Sequence, residues 1–279
     1  MYNRAVAVKI YSIEAGDFWL DGGTMFGVVP RVLWQRQYRP DDQNRIRQAL
    51  RTLLIIDGDR NILVDAGIGN WHEEKFLKNY DLHNSDFDFD SALGAYNLST
   101  DDITDVILTH LHFDHAGGAV SRRNSEMVPT FRRARTWLQK EQLAWAEKPS
   151  AKDRASFMDT YLKPLRRWAG LELLEGKHRI TDKVSVMPVY GHTPAMQTVM
   201  VETETGKHFF ATDLVPLASH LHIPYLMAYD NNPVITVQEK QTILAEACRE
   251  QWTVYFCHDP HTEKGQVISE DGKFGLKPL

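Results

Sequence analysis

The sequence predicts an α/β protein, and two kinds of segment carry that prediction. Short apolar runs of strand length recur along the chain, and several of them end in a histidine or an aspartate. Segments with helical spacing lie between pairs of these runs, and Thr236 to Arg249 is the clearest of them. We found no internal repeat, low-complexity stretch or flexible linker in the sequence. We therefore expect one domain that spans residues 1–279.

Composition and charge limit the classes of protein to consider. The chain is 43% hydrophobic and 25% charged, which is ordinary for a globular protein. Its net charge is −5 and its basic pairs are dispersed among acids, so we expect no nucleic-acid partner. Cys248 and Cys257 form no CxxC pair, which fits a reducing cytoplasm. The N-terminus lacks a signal-peptide core and no apolar run approaches ~18 residues, so we expect a cytoplasmic protein without a membrane partner.

In the first part of the chain, a strand from Val6 to Ile13 is predicted by alternation. Gly16 to Trp34 is predicted to be an apolar loop, because glycine and proline interrupt regular structure there. Such a loop packs on the core, walls a substrate pocket or contacts a partner. Thr52 to Ile56 and Asn61 to Asp65 predict a hairpin across Asp57-Gly58-Asp59.

In the rest of the chain, helical spacing is present from about Thr136 to Arg167 and is interrupted at Pro149-Ser150. The further predicted strands are Asp105 to Thr109, Val184 to Val189, Thr198 to Glu202, His208 to Ala211 and, as the last strand, Thr253 to Cys257.

The densest group of reactive side chains is the run from His110 to His115, which follows an apolar strand. His110 and His112 alternate, so on an extended strand tip they share one side, whereas Asp114 and His115 face a second point nearby. Other apolar runs lead to further donors, and the complete set is His110, His112, Asp114, His115, His192, Asp213 and His258. Seven donors are too many for one tetrahedral ion and suit two divalent ions bridged by a carboxylate. Imidazole and carboxylate donors favour Zn2+, with Mn2+, Co2+ or Fe2+ as alternatives.

These motifs resemble those of the metallo-β-lactamase superfamily. The resemblance rests on His110-x-His112-x-Asp114-His115, Gly191-His192-Thr193-Pro194, Asp213 and His258, with Asp65 matching an earlier acidic motif. It implies a four-layer αββα sandwich with mixed sheets and a metal site at one edge between them. It also implies that His110, His112 and His192 bind one metal, that Asp114, His115 and His258 bind the other, and that Asp213 bridges them. The resemblance also implies that Asp65 holds one of the metal ligands in place without binding metal itself.

The resemblance extends to the branch with quorum-quenching N-acyl-homoserine lactonases and methyl-parathion-type hydrolases. It implies a hydrolase in which a metal-bound hydroxide opens a lactone or cleaves a related ester, with Asp114 and Asp213 as catalytic residues. The alternatives are a phosphotriesterase, a glyoxalase II-like thioesterase and a non-catalytic metal-bound interaction module. Many lactonases carry a tyrosine where this chain has Pro216, so either another group assists the carbonyl or the substrate is not a lactone.

Specificity is expected to lie outside the metal motif. The candidate residues of a substrate pocket are Phe26, Trp34, His220, His222, Tyr225 and Tyr229. The small-molecule ester or lactone would bind among them. The apolar segment Met25 to Trp34 is also a candidate surface for a homodimer.

Overall fold

Two β-sheets packed face to face form the centre of the molecule, for which a computed structural model describes residues 7–279. The beginning of the first predicted strand, at Val6, and the N-terminus assessed for a signal peptide lie outside the described residues. In the described part of the chain, every helix is too short or too polar to cross a lipid bilayer.

The strands of the described chain are, in order, β1 (Lys9–Asp21), β2 (Arg45–Asp57), β3 (Arg60–Val64), β4 (Asp105–Ile107), β5 (Val120–Arg123), β6 (Glu126–Pro129), β7 (Arg135–Gln139), β8 (Leu171–Leu174), β9 (His178–Arg179), β10 (Val184–Val189), β11 (Met196–Thr203), β12 (Gly206–Phe210), β13 (Thr253–Tyr255), β14 (Lys264–Glu270) and β15 (Lys273–Pro278). The α-helices are α1 (Gly22–Phe26), α2 (Arg31–Trp34), α3 (Glu74–Tyr80), α4 (Phe89–Gly94), α5 (Phe113–Ala116), α6 (Lys140–Glu147), α7 (Asp159–Arg167) and α8 (Pro233–Arg249).

Both sheets are mixed, as predicted. The first has the order β1-β2-β3-β4-β7-β8, with parallel pairing from β3 through β8. The second has the order β15-β14-β13-β12-β11-β10-β9, in which β12 and β13 are parallel. β5 and β6 form a separate hairpin.

Alternation along the central strands distributes side chains between separate cores. Leu53 and Val64 face the second sheet, whereas Leu54 and Leu63 belong to the core on the helix-covered side of the first sheet. Segments buried on both faces form continuous apolar runs, which explains why Leu53 to Ile56 of β2 and Ile62 to Val64 of β3 contain no polar residue. With α8 packed on the outer side of the second sheet, the layers are helix, sheet, sheet and helix. The predicted αββα sandwich is confirmed.

The prediction of a loop from Gly16 to Trp34 is wrong over much of its length. β1 passes a bulge between Glu14 and Asp17 and stays paired with β2 as far as Asp21. Gly16, at φ +111, lies in this bulge, and such a backbone conformation favours glycine. α1 follows directly, because the Asp21 carboxylate accepts the N–H of Thr24 and caps the helix.

Other boundaries depend on pairing between distant segments. The helix prediction from Thr136 is wrong at its start, because Thr136 and Trp137 pair with β4 as part of β7. The strand predicted from Thr253 to Cys257 ends at Tyr255, and it is not the last, since β14 and β15 follow it. The hairpin between β2 and β3 is confirmed, with Asp57 paired to Arg60.

Candidate metal centre

The predicted ligands converge where strands of both sheets end. His110 and His112 follow β4, and the short helix α5 then turns the chain so that Asp114 and His115 approach the same place. The remaining three donors, His192, Asp213 and His258, follow β10, β12 and β13. The site therefore lies at one edge of the sandwich, between the sheets.

One group of donors comprises His110, His112, His192 and Asp213, whose facing atoms all lie within 4.8 Å of one another. His192 Nε2 is 3.1 Å from His112 Nδ1 and 3.2 Å from Asp213 Oδ2. His110 Nε2 lies 3.8 Å from the same carboxylate oxygen. It is buried and has no hydrogen-bond partner among the described residues, as expected of a nitrogen left for a ligand.

A second group surrounds the other oxygen of the same carboxylate. Asp213 Oδ1 is 3.4 Å from His115 Nε2 and 3.2 Å from His258 Nε2, and these two nitrogens are 3.1 Å apart. Asp114 Oδ2 lies 3.8 Å and 3.5 Å from the same two nitrogens. Asp213 thus presents one oxygen to each group.

The hydrogen bonds made by the outer nitrogen of each histidine ring determine whether its inner nitrogen offers a lone pair to the site. His115 Nδ1 lies 2.8 Å from Asp65 Oδ2, His192 Nδ1 lies 3.0 Å from Asp230 Oδ1, and His258 Nδ1 lies 2.9 Å from the carbonyl of Ala49. Carboxylate and carbonyl oxygens only accept, so each imidazole donates outward and a neutral ring directs its Nε2 lone pair inward. Lone pairs and carboxylates that converge at such distances repel one another unless cations lie between them. The donor set therefore fits metal ions.

Burial and neighbouring charges act on these groups in opposite directions. Burial lowers the pKa of His110 and His112 well below the usual value, and the surrounding histidines lower it further. Burial also disfavours protonation of His115, but the carboxylates of Asp213, Asp114 and Asp65 outweigh it and raise the pKa of that ring. Burial likewise opposes ionisation of Asp213, yet the facing histidines hold its pKa well below the usual value. The carboxylates thus attract positive charge into the site.

Backbone contacts hold the ligand segments against each other. The N–H of Ala66 donates to the carbonyl of His115, and the N–H of Ala49 donates to the carbonyl of His258. A Cβ atom at Gly118 would lie 2.1 Å from the carbonyl oxygen of Ala66, so a glycine is required for the turn after α5 to pack this closely.

The thiol of Cys257 contacts the site. The buried side chain of Cys257 belongs to the core between the sheets, and its thiol also donates to Asp213 Oδ1 at 3.4 Å. β13 ends two residues earlier, at Tyr255, so the alternation of a strand no longer governs Cys257 and His258.

A cavity of about 290 Å³ opens onto the two groups. His112, Asp114, His192, Asp213 and His258 line its base. Its walls are mostly apolar and include Leu20, Met25, Phe113 and Met227, with polar contributions from Thr24, Tyr80, Lys152, Asp153, Ser156 and Tyr229. The cavity provides access from solvent to the ligand cluster.

Among the six predicted pocket residues, Tyr229 lines this cavity and the other five do not. Phe26 and Trp34 stack on each other with ring centroids 5.4 Å apart, and His220 also stacks on Phe26 at 5.1 Å. These rings are buried behind Met25, which forms part of the cavity wall. Helix α1 directs Thr24 and Met25 to the cavity and Phe26 to the core, and Trp34 and His220 are buried against Phe26, so none of the three lines the cavity as predicted.

His222 and Tyr225 belong to a loop that is held away from the cavity. The Lys240 ammonium is fully buried and donates to the backbone carbonyls of His222, Ile223 and Tyr225 at 2.9, 3.2 and 2.7 Å. Burial lowers the pKa of Lys240 to about 7, an effect that the charge of Asp230 opposes. The loop is thereby tied to α8, and His222 is exposed on its outer side.

Several residues of the site escaped the sequence analysis. Asp230, Lys152 and Tyr80 follow no strand that ends at the site and share no spacing with the ligands. Loops and helices distant in the chain bring them to the cavity, which pattern alone does not reveal. The cluster at 110–115 is the feature that the sequence does display.

Comparisons with known proteins agree with the fold and the motif. The family model described as metallo-beta-lactamase superfamily matches residues 51–262. The chain is 24% identical over 178 residues to an N-acyl homoserine lactonase of Bacillus cereus, which is 63% of this chain and 63% of that protein. The chain thus spans less than two thirds of the length of the curated relatives it matches.

Solved structures are similar over almost the whole chain. A probable metal-dependent hydrolase from Staphylococcus aureus has a TM-score of 0.87 at 26% identity and covers 99% of both chains. AidC, described as a dizinc quorum-quenching lactonase, has a TM-score of 0.79 at 18% identity, covering 98% of this chain and 94% of its own. The motif order, the fold and the family match lead to one conclusion: this chain belongs to the metallo-β-lactamase superfamily.

Proposed function

We propose that this chain is a hydrolase that uses two divalent metal ions to open lactones or cleave related carboxylic esters. The observation that carries the proposal is the convergence of inward-facing imidazole lone pairs with two carboxylates at the base of a cavity. Such a donor set holds cations and leaves coordination positions open to water and substrate.

In this proposal, His110, His112 and His192 would hold the first ion, and Asp114, His115 and His258 would hold the second. Asp213 would be shared between the two ions, since each of its oxygens faces one group. Zn2+ is the ion that we favour because the donors are imidazole and carboxylate, and Mn2+, Co2+ and Fe2+ accept the same donor types. When bound, two such ions lower the pKa of water toward neutrality and polarise the oxygen of a substrate carbonyl.

In the proposed reaction, Asp114 moves the proton. Its side chain is 12% exposed and lines the cavity, compared with 6% exposure for Asp213, which is committed to both groups. Attack of water on the carbonyl carbon forms a C–O bond and releases a proton that Asp114 can accept. Cleavage of the bond to the alkoxy oxygen leaves an alkoxide, which takes that proton back. A lactone yields a hydroxy acid, and an acyclic ester yields an acid and an alcohol.

The volume and the lining of the cavity favour compact substrates with an apolar part. Its volume of about 290 Å³ lies at the small end of the range of roughly 300–1,000 Å³ typical of small-molecule sites. The side chains of Leu20, Met25 and Met227 provide an apolar surface for an acyl chain. Tyr229 lies with its hydroxyl 2.9 Å from that of Thr24 and offers a polar group on the same wall.

A substrate panel tests the proposal. The Zn2+-loaded protein is assayed with lactones, aryl esters, phosphotriesters and thioesters, and we expect turnover of lactones and carboxylic esters. Asp213→Ala should lose the second ion and nearly all turnover. His178→Ala, a change at an exposed histidine, is the control and should retain both. Turnover confined to thioesters or phosphotriesters, or full activity in the Asp213 variant, would contradict the proposal. Metal binding with no turnover on the whole panel would favour a non-catalytic module.

We also propose a homodimer contact at the segment Met25 to Trp34. Its buried residues support the cavity wall, but Val28, Val32 and Leu33 are 90%, 61% and 42% exposed. Three exposed apolar side chains on one short segment form a small patch of the kind that partner subunits cover.

A further inference from the structure

Lys152 places a positive charge at the wall of the cavity that holds the candidate metal centre. It lies between α6 and α7, and no other lysine or arginine of the described residues lines this cavity. Its Nζ donates to the backbone carbonyl of Tyr229 at 2.7 Å, on the neighbouring part of the wall. An ammonium group carries three donors, so two remain for a ligand.

The charge of Lys152 is not neutralised by a neighbour. Within residues 7–279, no carboxylate lies at ion-pair distance from its Nζ. Asp153 is adjacent in sequence, but its Oδ2 accepts from Trp145 Nε1 and Asn231 Nδ2, both at 2.7 Å. Its Oδ1 accepts from the hydroxyl of Ser150 at 2.8 Å. Asp153 therefore fixes the segment that carries Lys152 and leaves the ammonium free.

The surroundings of Lys152 leave its ammonium accessible to an anionic partner. Lys152 is an exposed residue, and it lines the same cavity as Leu20, Met25 and Met227, so a ligand that places an apolar part against these side chains can also reach the ammonium. Burial lowers the pKa of Lys152, while the charges of Asp230 and Asp153 act in the opposite direction. A ligand carboxylate that reached the ammonium would form a charge-assisted hydrogen bond, which is shorter and stronger than a neutral one.

We propose that Lys152 makes this site selective for ester or lactone substrates that carry a carboxylate group away from the scissile bond. The inference rests on the proposed function and extends it to the class of substrate. With the scissile carbonyl at the ligand cluster and the carboxylate at Lys152, the substrate would span the cavity from base to wall. Lys152 then acts in recognition and takes no part in bond cleavage.

The test uses pairs of substrates that differ only in charge. The mono-4-nitrophenyl ester of glutaric acid carries a free carboxylate, and the corresponding ester of glutaramic acid carries a neutral amide of the same size. We expect the wild-type enzyme to favour the carboxylate ester by about tenfold in kcat/KM, mainly through a lower KM, as expected for one hydrogen bond to a charged group. Lys152→Met should remove this preference, so that the two esters are turned over with equal kcat/KM.

Two further variants separate charge from structure. Lys152→Arg keeps a cation and should retain most of the preference, whereas Lys163→Met removes an exposed lysine that pairs with Asp159 and should leave it unchanged. Thermal unfolding of each variant verifies its fold. The inference would be overturned if Lys152→Met kept the wild-type preference for the carboxylate ester. It would also be overturned if kcat/KM fell by the same factor for both esters.

A binding measurement distinguishes failure of the inference from failure of the proposed function. The anilide analogues of the two esters, which replace the scissile oxygen by N–H, are titrated calorimetrically into wild type and Lys152→Met. Tighter binding of the carboxylate analogue that depends on Lys152 supports the inference even without turnover, and equal binding of both analogues contradicts it. Absence of hydrolysis of both esters by the metal-loaded wild type would instead refute the ester hydrolase.

Discussion

Replacing Asp230 should weaken metal binding at the proposed first site without any change to a proposed ligand. Asp230 is 3% exposed, and its Oδ1 accepts the Nδ1–H of His192 at 3.0 Å. This hydrogen bond orients the ring and directs Nε2 toward the ligand cluster. In Asp230→Ala, the ring can rotate, and its outer N–H is left buried without an acceptor.

The expected loss of metal affinity follows from the contact with His192, and the variant also loses a second hydrogen bond, since Asp230 Oδ2 accepts the N–H of Met227 at 3.3 Å. Loss of a partner that orients a histidine ligand typically reduces metal affinity about 10- to 100-fold, which corresponds to about 1.4–2.8 kcal/mol. The unsatisfied N–H should also lower the free energy of unfolding of the metal-free protein by about 1–3 kcal/mol. Asp230→Asn retains an acceptor oxygen, although an uncharged one, so its effect should lie between those of wild type and Asp230→Ala.

Competition with a chromophoric zinc chelator measures the two dissociation constants of each variant. The dissociation constant that changes in Asp230→Ala shows whether Asp230 supports the tighter or the weaker of the two metal sites. Asp159→Ala, at an exposed position that pairs with Lys163, is the matched control and should leave both constants unchanged. If Asp230→Ala bound both ions as tightly as wild type, the orientation of His192 by Asp230 would be irrelevant and this reasoning would be refuted.

Three further predictions concern packing, pH and assembly. Gly118→Ala should reduce the free energy of unfolding by about 1–3 kcal/mol in denaturant titrations, because the new Cβ would lie 2.1 Å from the carbonyl oxygen of Ala66. Gly94→Ala is the control: its Cβ would meet no atom within 4 Å, so the change should be neutral or stabilising. Lys240 has a pKa of about 7 in the folded chain against an ordinary value of 10.5, so the unfolded chain binds more protons between these values. Between these two pKa values, the free energy of unfolding should therefore rise by up to about 1.4 kcal/mol per pH unit, and a Lys240→Met variant should lack that rise. The same dependence on pH in wild type and variant would contradict this prediction. Val32→Glu should shift the protein from dimer to monomer in sedimentation velocity, and a wild-type monomer would exclude the proposed dimer.

The sequence pattern was sufficient to predict those features that residues close together in the chain determine. The hairpin at Gly58 depends on a turn, and the ligand run at 110–115 is dense enough to be recognised alone. The apolar strands with donors at their ends also indicated His192 and His258, which lie beside that run in the structure. Each of these features is contained in a few consecutive residues.

Non-local pairing accounts for what the pattern did not reveal. Thr136 to Gln139 carries helical spacing but forms β7, because β4 and β8 supply hydrogen bonds on both sides. Phe26 was predicted to line the pocket as part of an apolar loop, but this segment forms helix α1, and Phe26 packs in the core with Trp34 and other residues distant in the chain. Asp230 and Lys152 reach the site from separate loops, so only the assembled fold identifies them.

The central claim is that Asp213 bridges two metal ions between the two groups of donors. Anomalous diffraction at the zinc edge, from crystals of the Zn2+-loaded protein, measures this directly. We expect two peaks per chain, roughly 3.5–4 Å apart, one beside His110, His112 and His192 and the other beside His115 and His258, with the Asp213 carboxylate between them. A single peak per chain, or two peaks that do not share Asp213, would contradict the account.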